Sequence, residues 1–405
     1  MGFNQKLTLS VAVLLFINQS SCLNNGLGKT PAMGWNTWNK YNCDISEDII
    51  KQNAKKIVDL GLDKIGYVYI NIDDCWQLAD RDANGNVQAD LTKFPNGMMA
   101  VGDYIHTLGL KFGIYSSAGT QTCQGKAGSL GFEKQDAQYY SNIGADYLKY
   151  DNCFNQGVQG KKRYTDMRDA LNSTGRPIYY SICSWGTENI WEWGAETGNS
   201  WRTTLDIENF WASVKFNFNF NAQLADYSGS GSWNDPDMLE IGNNNLTIFE
   251  EKSHFALWCF LKAPLILGND LVNMGPEVLA IISNQYLIDV NQNSVAQARC
   301  IMNCQQKSQV YHTQVHGNYP YDAILVMNWD NKEKSSVMID FMTLGLAQYA
   351  YDKCDVFDMW AGSLIGTYQG RYFVNNVLPH NNVALKIQCK SFTAKDFLTS
   401  KSLLQ

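Results

Sequence analysis

Between residues 31 and 290 the chain switches periodicity repeatedly, from a short apolar run of strand length to a longer stretch with the 3.6-residue repeat of a helix. The apolar runs fall at 32–35, 67–72, 111–115, 146–150, 178–183, 202–205, 231–233 and 264–267. Between the first two, Ser46 stands where a helix N-cap belongs, and Ile49, Ile50, Ala54, Ile57 and Val58 then share one face. Residues 132–143, 163–171 and 248–261 carry the same helical pattern. Eight strand–helix units in a span of this length predict an α/β fold, a (β/α)8 TIM barrel. The sixth and seventh runs are the weakest, which leaves an open doubly wound sheet as the alternative.

Beyond residue 300 helical periodicity fades. Runs at 310–315, 323–329, 336–341, 366–374 and 383–389 read as strands, with turn residues such as Asp330-Asn331 between them. They predict a C-terminal antiparallel β-sandwich domain beside the barrel. The expected organisation is a signal peptide over 1–22, the barrel over 23–300 and the β domain over 301–405. Lys6, the apolar run 7–17 and the small residues Ser20, Ser21 and Cys22 compose the signal. It implies the secretory pathway, with secretion and lysosomal or vacuolar delivery both open. No later apolar run reaches the ~18 residues of a membrane span. Export also suits eleven cysteines without paired CxxC units, which point to disulfides rather than a zinc site. Sequons at Asn172 and Asn245 are compatible with glycosylation on surface loops.

A net charge of -7 argues against nucleic acid and anionic membrane surfaces, which need clustered Lys and Arg. A neutral partner fits better. Twelve Trp and 21 Tyr suit sugar-stacking surfaces, although aromatic side chains more often fill cores.

Barrel enzymes carry their chemistry at the C-terminal strand ends. Here those ends hold Trp35, the pair Asp73-Asp74, Tyr115, Lys149 and Asp151, the run Cys183-Ser184-Trp185, Arg202 and Asp206, and Asp235-Pro-Asp237-Met238. Lys149, Asp151 and Cys153 are spaced by two, so on a strand a cation flanks a carboxylate on one face, and the cysteine can fix the backbone to a neighbouring loop. Opposite charge lowers a carboxylate pKa and suits a nucleophile. The same spacing suits a salt bridge at a strand end. Each acidic residue has a dull explanation as a helix cap or turn former; their convergence from four strands points to function.

Other chemistries fit poorly. No histidine lies in an HExxH-type or Cys/His arrangement or at a strand end, and no GxSxG elbow is present. Gly28-Lys29-Thr30 mimics a P-loop tail, but Leu23 stands where the first glycine is required. Asp80, Asp82, Asn84 and Gly85 resemble the start of a calcium loop, yet Leu91 replaces its closing Glu, and a hairpin loop is the better reading. Carboxylate chemistry on a neutral polar substrate remains, with glycoside hydrolysis the leading case.

The runs Lys29-Thr-Pro-Ala-Met-Gly-Trp35, Ile72-Asp-Asp-Cys-Trp76, Gly113-Ile-Tyr-Ser116, Leu148-Lys-Tyr-Asp-Asn-Cys153, Asn199-Ser-Trp-Arg202 and Trp233-Asn-Asp-Pro-Asp-Met-Leu239 closely resemble the melibiase-type α-galactosidases of glycoside hydrolase family 27. The resemblance covers the chain beyond the signal, and 379–385 is more weakly similar to the family's closing β strand. It implies an exo-α-galactosidase acting on terminal α-galactosyl residues, with Asp151 as nucleophile, Asp206 as general acid/base and retention of configuration, which needs the carboxyls ~5–5.5 Å apart. Asp206 must then hold its proton more tightly than Asp151. Lys149 would lower the pKa of Asp151 and bond sugar hydroxyls. Asp73 and Asp74 would clamp the hydroxyls that distinguish galactose, and Trp35 and Tyr115 would pack or bond against the ring. Cys123, Ser184, Trp185, Arg202, Asp237 and Met238 would complete the pocket. Cys43–Cys75 and Cys123–Cys153 resemble the family's disulfides. No cofactor and no metal are implied, and a homo-oligomer is left open.

One departure bears on specificity. Many family members carry Glu where this chain has Ser184, and the related α-N-acetylgalactosaminidases carry a Ser that makes room for the acetamido group. Microbial α-galactosidases also have small polar residues there and resemble 185–202 better, which favours galactose. A non-catalytic galactose-binding protein is the alternative from another class; losing either carboxylate would be its signature, and both are present. Cys183 lacks an obvious partner.

Overall fold

The computed structural model describes residues 23–317 and 319–390; the signal-peptide expectation for 1–22 lies outside the described residues. Eight short strands, β1 (Met33–Asn36), β2 (Tyr69–Asn71), β3 (Lys111–Ser117), β4 (Tyr147–Asp151), β5 (Tyr179–Cys183), β6 (Ser200–Arg202), β7 (Trp233–Asp235) and β8 (Leu265–Leu267), form one sheet. Its order is β7-β6-β5-β4-β3-β2-β1-β8, and every pairing is parallel. The ring closes through Leu239, just after β7, which bridges Leu267 of β8; its amide donates to the Ile266 carbonyl at 2.9 Å. This is the (β/α)8 barrel.

Two strands are displaced from their expected positions. The sixth, expected at 202–205, lies at Ser200–Arg202, and the seventh, expected at 231–233, lies at Trp233–Asp235. Near the site the barrel interior is polar. In β6 only Trp201 is apolar while Ser200 and Arg202 are buried beside it, so no apolar run marks the strand.

The helices follow local chemistry. The Ser46 hydroxyl accepts from the Ile49 amide at 3.3 Å and starts helix Glu47–Asp59, which buries Ile50, Ala54 and Ile57. Helix Ile248–Leu261 starts with a capping box between Thr247 and Glu250 and is buried almost all round. The barrel lies on one side of it and the β domain on the other.

The β domain comprises β9 (Arg299–Met302), β10 (Ser308–Val315), β11 (Tyr321–Asn328), β12 (Ser335–Asp340), β13 (Lys353–Asp358), β14 (Ser363–Gln369), β15 (Arg371–Val377) and β16 (Asn382–Lys390). A six-stranded sheet in the order β14-β13-β16-β11-β10-β9 faces the β12–β15 pair. The single strand expected at 366–374 is two, because the chain turns at Gly370, whose φ of +75° favours glycine. Strand β13 escaped the sequence reading because only Cys354 and Val356 face inward, between charged neighbours. β11 serves both sides: Ala323, Leu325 and Met327 join the barrel's core, and Ile324 and Val326 join the core of the sandwich.

Among the described residues four disulfides link Cys43–Cys75, Cys123–Cys153, Cys300–Cys304 and Cys354–Cys389. Among the described residues Cys183 and Cys259 are free and buried. Asn172 and Asn245 are both exposed. Asn172 closes the last turn of helix Gly160–Ser173 rather than lying on a loop as expected.

Candidate active site

Alternation along β4 turns Leu148 and Tyr150 toward the surrounding helices and Lys149 and Asp151 into the barrel. Asp151 is 6 % exposed; its carboxylate accepts from the Tyr115 hydroxyl at 3.0 Å and from the Asn152 amide at 2.8 Å. Burial pushes its pKa up to about 6, against the pull of Lys149 and the Asn152 amide and with the repulsion of Asp206 and Asp73. Asp151 is thus shifted upward, where Lys149 alone would have lowered it. Enclosure would also raise Asp206, but its side chain is 68 % exposed, and the charges of Arg202 and Lys149 hold its carboxyl below the ordinary value. Lys149 does pull Asp151 down as expected, yet desolvation wins, because the lysine's hydrogen bond goes to Asp73 at 2.8 Å.

The end of β2 carries two buried carboxylates. Asp73 receives Lys149 and, at 2.8 Å, the Asn36 amide. Asp74 accepts from the Gln124 and Cys75 amides, and burial raises its pKa. Trp35 is fully buried, its indole N–H donating to the Asn269 carbonyl at 2.7 Å. The Cys123–Cys153 bridge ties the loop after β3 to the loop after β4, and the Tyr115 hydroxyl lies 3.4 Å from Cys123 Sγ. Cys123, Cys153 and Asp151 place ligand-type atoms within 4.8 Å of one another, but both sulfurs are spent in the disulfide and offer no thiolate to a metal.

On the far side, Arg202 is a buried hub. Its Nη2 donates to Asp206 at 3.0 Å and to the Thr204 carbonyl at 3.3 Å and forms an ion pair with Asp237 at 2.9 Å, and Nη1 donates to the free Cys183 sulfur at 3.5 Å. Burial pushes the Cys183 thiol well above its ordinary pKa. Ser184 is 1 % exposed and its Oγ is sealed without a hydrogen-bond partner, while Trp185 is half-buried in the left-handed region. Met238 is buried in a cluster with Ala32, Tyr69, Tyr147, Tyr179 and Ile266 inside the barrel.

Supporting residues were missed by the sequence reading. Asn36 steadies Asp73, and the buried guanidinium of Arg163 donates to the Ala118 carbonyl and to Asn152 Oδ1, both at 2.7 Å, pinning the loops beside Asp151. A lone arginine at a helical spacing with Met167 and Ala170 was the only available signal.

Comparison with known proteins places the chain in a family. The model of one protein family, described as alpha galactosidase A, matches residues 30–293. Alpha-galactosidase 3 of Arabidopsis thaliana is 44 % identical over 345 residues, 84 % of this chain and 77 % of that protein. The crystal structure of α-galactosidase I from Mortierella vinacea superposes with a TM-score of 0.85 at 37 % identity, covering 91 % of this chain and all (100 %) of that one. The α-galactosidase of Saccharomyces cerevisiae, solved with raffinose, gives 0.82 at 31 % identity over 90 % of this chain and 99 % of that one.

Proposed function

The chain belongs to the α-galactosidase A family, and from this we infer that it removes terminal non-reducing α-D-galactosyl residues with Asp151 as nucleophile and Asp206 as general acid/base. Family membership makes it a glycoside hydrolase of the retaining, double-displacement type. The observation that carries the residue roles is the contrast between the carboxylates: Asp151 is enclosed and oriented by two hydrogen bonds, whereas Asp206 stands exposed on Arg202.

In the first step an Asp151 oxygen bonds to the anomeric carbon as the glycosidic bond breaks, and Asp206 passes its proton to the leaving oxygen. In the second, Asp206 takes a proton from water, the water oxygen bonds to the anomeric carbon and Asp151 departs, leaving the α anomer. Reaction needs Asp151 ionised and Asp206 protonated. A bound aglycone favours this form by stripping water from Asp206, which raises its pKa. Asp73, Asp74 and Lys149 would hold the sugar hydroxyls, Trp35, Tyr115 and Met238 the ring walls, and Cys123, Trp185, Arg202 and Asp237 the rim.

Galactose is favoured over N-acetylgalactosamine because the similar curated proteins are α-galactosidases, at 44 % and 43 % identity over 84 % of this chain. Raffinose-type oligosaccharides and galactosylated polysaccharides or glycolipids are the proposed substrates. Action in the secretory pathway or beyond it is supported by four disulfides, which persist in oxidising compartments. No described helix is long and apolar enough to cross a membrane.

The test is hydrolysis of a nitrophenyl α-galactoside by the wild type and by Asp151→Asn. A loss of at least ~10³-fold is expected in the variant, with the α anomer as the first NMR signal from the wild type. A β product excludes retention, and equal rates on the N-acetylgalactosaminide overturn the sugar preference. An inactive wild type that binds galactose would identify a lectin.

A further inference from the structure

Asp206 poses a problem of aim. Its side chain is 68 % exposed and its carboxylate accepts from Arg202, yet a general acid must lie within hydrogen-bond reach of the leaving oxygen. The peptide groups on either side of it are both held by buried side chains. The Ile207 amide donates to Asp237 Oδ2 at 2.8 Å, and the Leu205 carbonyl accepts from Asn217 Nδ2 at 3.4 Å.

Those two side chains are themselves fixed from outside the site. Asp237 has a φ of +84°, in the left-handed region. Its carbonyl accepts from the indole N–H of the fully buried Trp258 at 2.7 Å, and its carboxylate also holds Arg202 at 2.9 Å. Asn217, 1 % exposed on helix Trp211–Ala222, bonds the Pro236 carbonyl at 3.0 Å with the same Nδ2 that reaches Leu205, so it ties the loop after β7 to the loop after β6. Trp258 comes from helix Ile248–Leu261, which lies between β7 and β8 in the chain.

We propose that Trp258 and Asn217 are positioning residues that aim Asp206: Trp258 fixes the Asp237 turn, Asp237 fixes Arg202 and Ile207, and Asn217 locks the Leu205 peptide to that turn. The proposal rests on Asp206 being the acid/base. It gives the reaction a brace in two helices whose side chains lie beneath the loops rather than in the pocket. A displacement of about 1 Å at such a group is enough to lose ~10²-fold in rate.

The experiment compares kcat/KM for dinitrophenyl α-galactoside, whose phenolate leaves without protonation, with kcat/KM for methyl α-galactoside, whose alkoxide needs the acid. The ratio of the two is independent of the fraction of enzyme that is folded, so it survives a variant that folds poorly. Asp206→Ala should lower the methyl-to-dinitrophenyl ratio by ~10²-fold or more. Trp258→Phe and Asn217→Ala should each lower it by about tenfold, while Ser46→Ala, at a helix cap away from the brace, should leave it unchanged. A lowered ratio in Asp206→Ala with wild-type ratios in Trp258→Phe and Asn217→Ala overturns the brace alone. A wild-type ratio in Asp206→Ala overturns the acid/base assignment.

Discussion

Asp151 and Asp206 show how far a residue's chemistry depends on its surroundings. Both are aspartates beside a cation, and their expected places at strand ends made each a candidate. Burial nonetheless lifts Asp151 to about 6, while Arg202 and Lys149 hold the exposed Asp206 low. The two macroscopic pKa values belong to the pair, and a bell-shaped profile does not say which residue owns which limb. Removing one partner separates them. With Asp206→Ala and a dinitrophenyl substrate, only Asp151 must be ionised, so kcat/KM should rise with pH to a plateau, with its midpoint above the ordinary aspartate value because burial raises Asp151. A midpoint near the ordinary aspartate value, ~4, would contradict the dominance of desolvation. In the wild type kcat/KM should follow a bell-shaped pH profile, because the reacting form of the pair holds one proton between the two carboxyls. The Lys149–Asp151–Cys153 alternation was legible because a strand has a fixed period of two. The upward shift of Asp151 was not, because desolvation depends on atoms brought in from β2, β3 and β5.

At the scale of elements, loops hold each other more than the strands' own patterns suggest. Gly119, after β3, has no room for a side chain: a Cβ there would lie 1.8 Å from the Cys153 carbonyl oxygen and 2.6 Å from that of Phe154. The backbone continues this contact, with Ala118 N donating to the Asp151 carbonyl at 2.8 Å and Thr120 N to that of Phe154 at 3.1 Å. Gly119→Ala should therefore push the loop after β4 outward and lower kcat/KM by ~10²-fold, with the far-UV circular dichroism kept. Wild-type turnover in that variant would show that the loop tolerates the displacement. The Ser46 cap, by contrast, is a local device written in four residues; Ser46→Ala should cost about 1 kcal/mol in urea unfolding and leave kinetics untouched. Strands β6 and β7 were the hardest elements to locate because their inward residues serve the site and are polar, which erases the apolar run that marks a barrel strand elsewhere.

For the whole molecule, the central question is whether barrel and β domain are separable. One continuous apolar cluster runs from barrel residues such as Trp35 and Trp258 through Tyr311, Leu325, Met327 and Trp329 of the β domain. Trp211 of the barrel stacks on His380 at 5.2 Å and on Trp329 at 5.7 Å, and His380 also meets Glu250 at 2.7 Å. Such an interface predicts one cooperative calorimetric transition for both parts, and Trp329→Ala should lower stability by ~3–5 kcal/mol within it. Two resolved transitions in the wild type would mean that the domains fold independently. Eight strand–helix units, the acidic strand ends and the family motifs were all determined by the sequence itself, because periodicity and turn chemistry act over a few neighbouring residues. The tertiary structure alone decided the ionisation of Asp151, the sealing of Ser184 and the bracing of Asp206 by Asp237, Asn217 and Trp258. Desolvation and hydrogen bonding are set by which distant segments share a volume, and no local pattern records that.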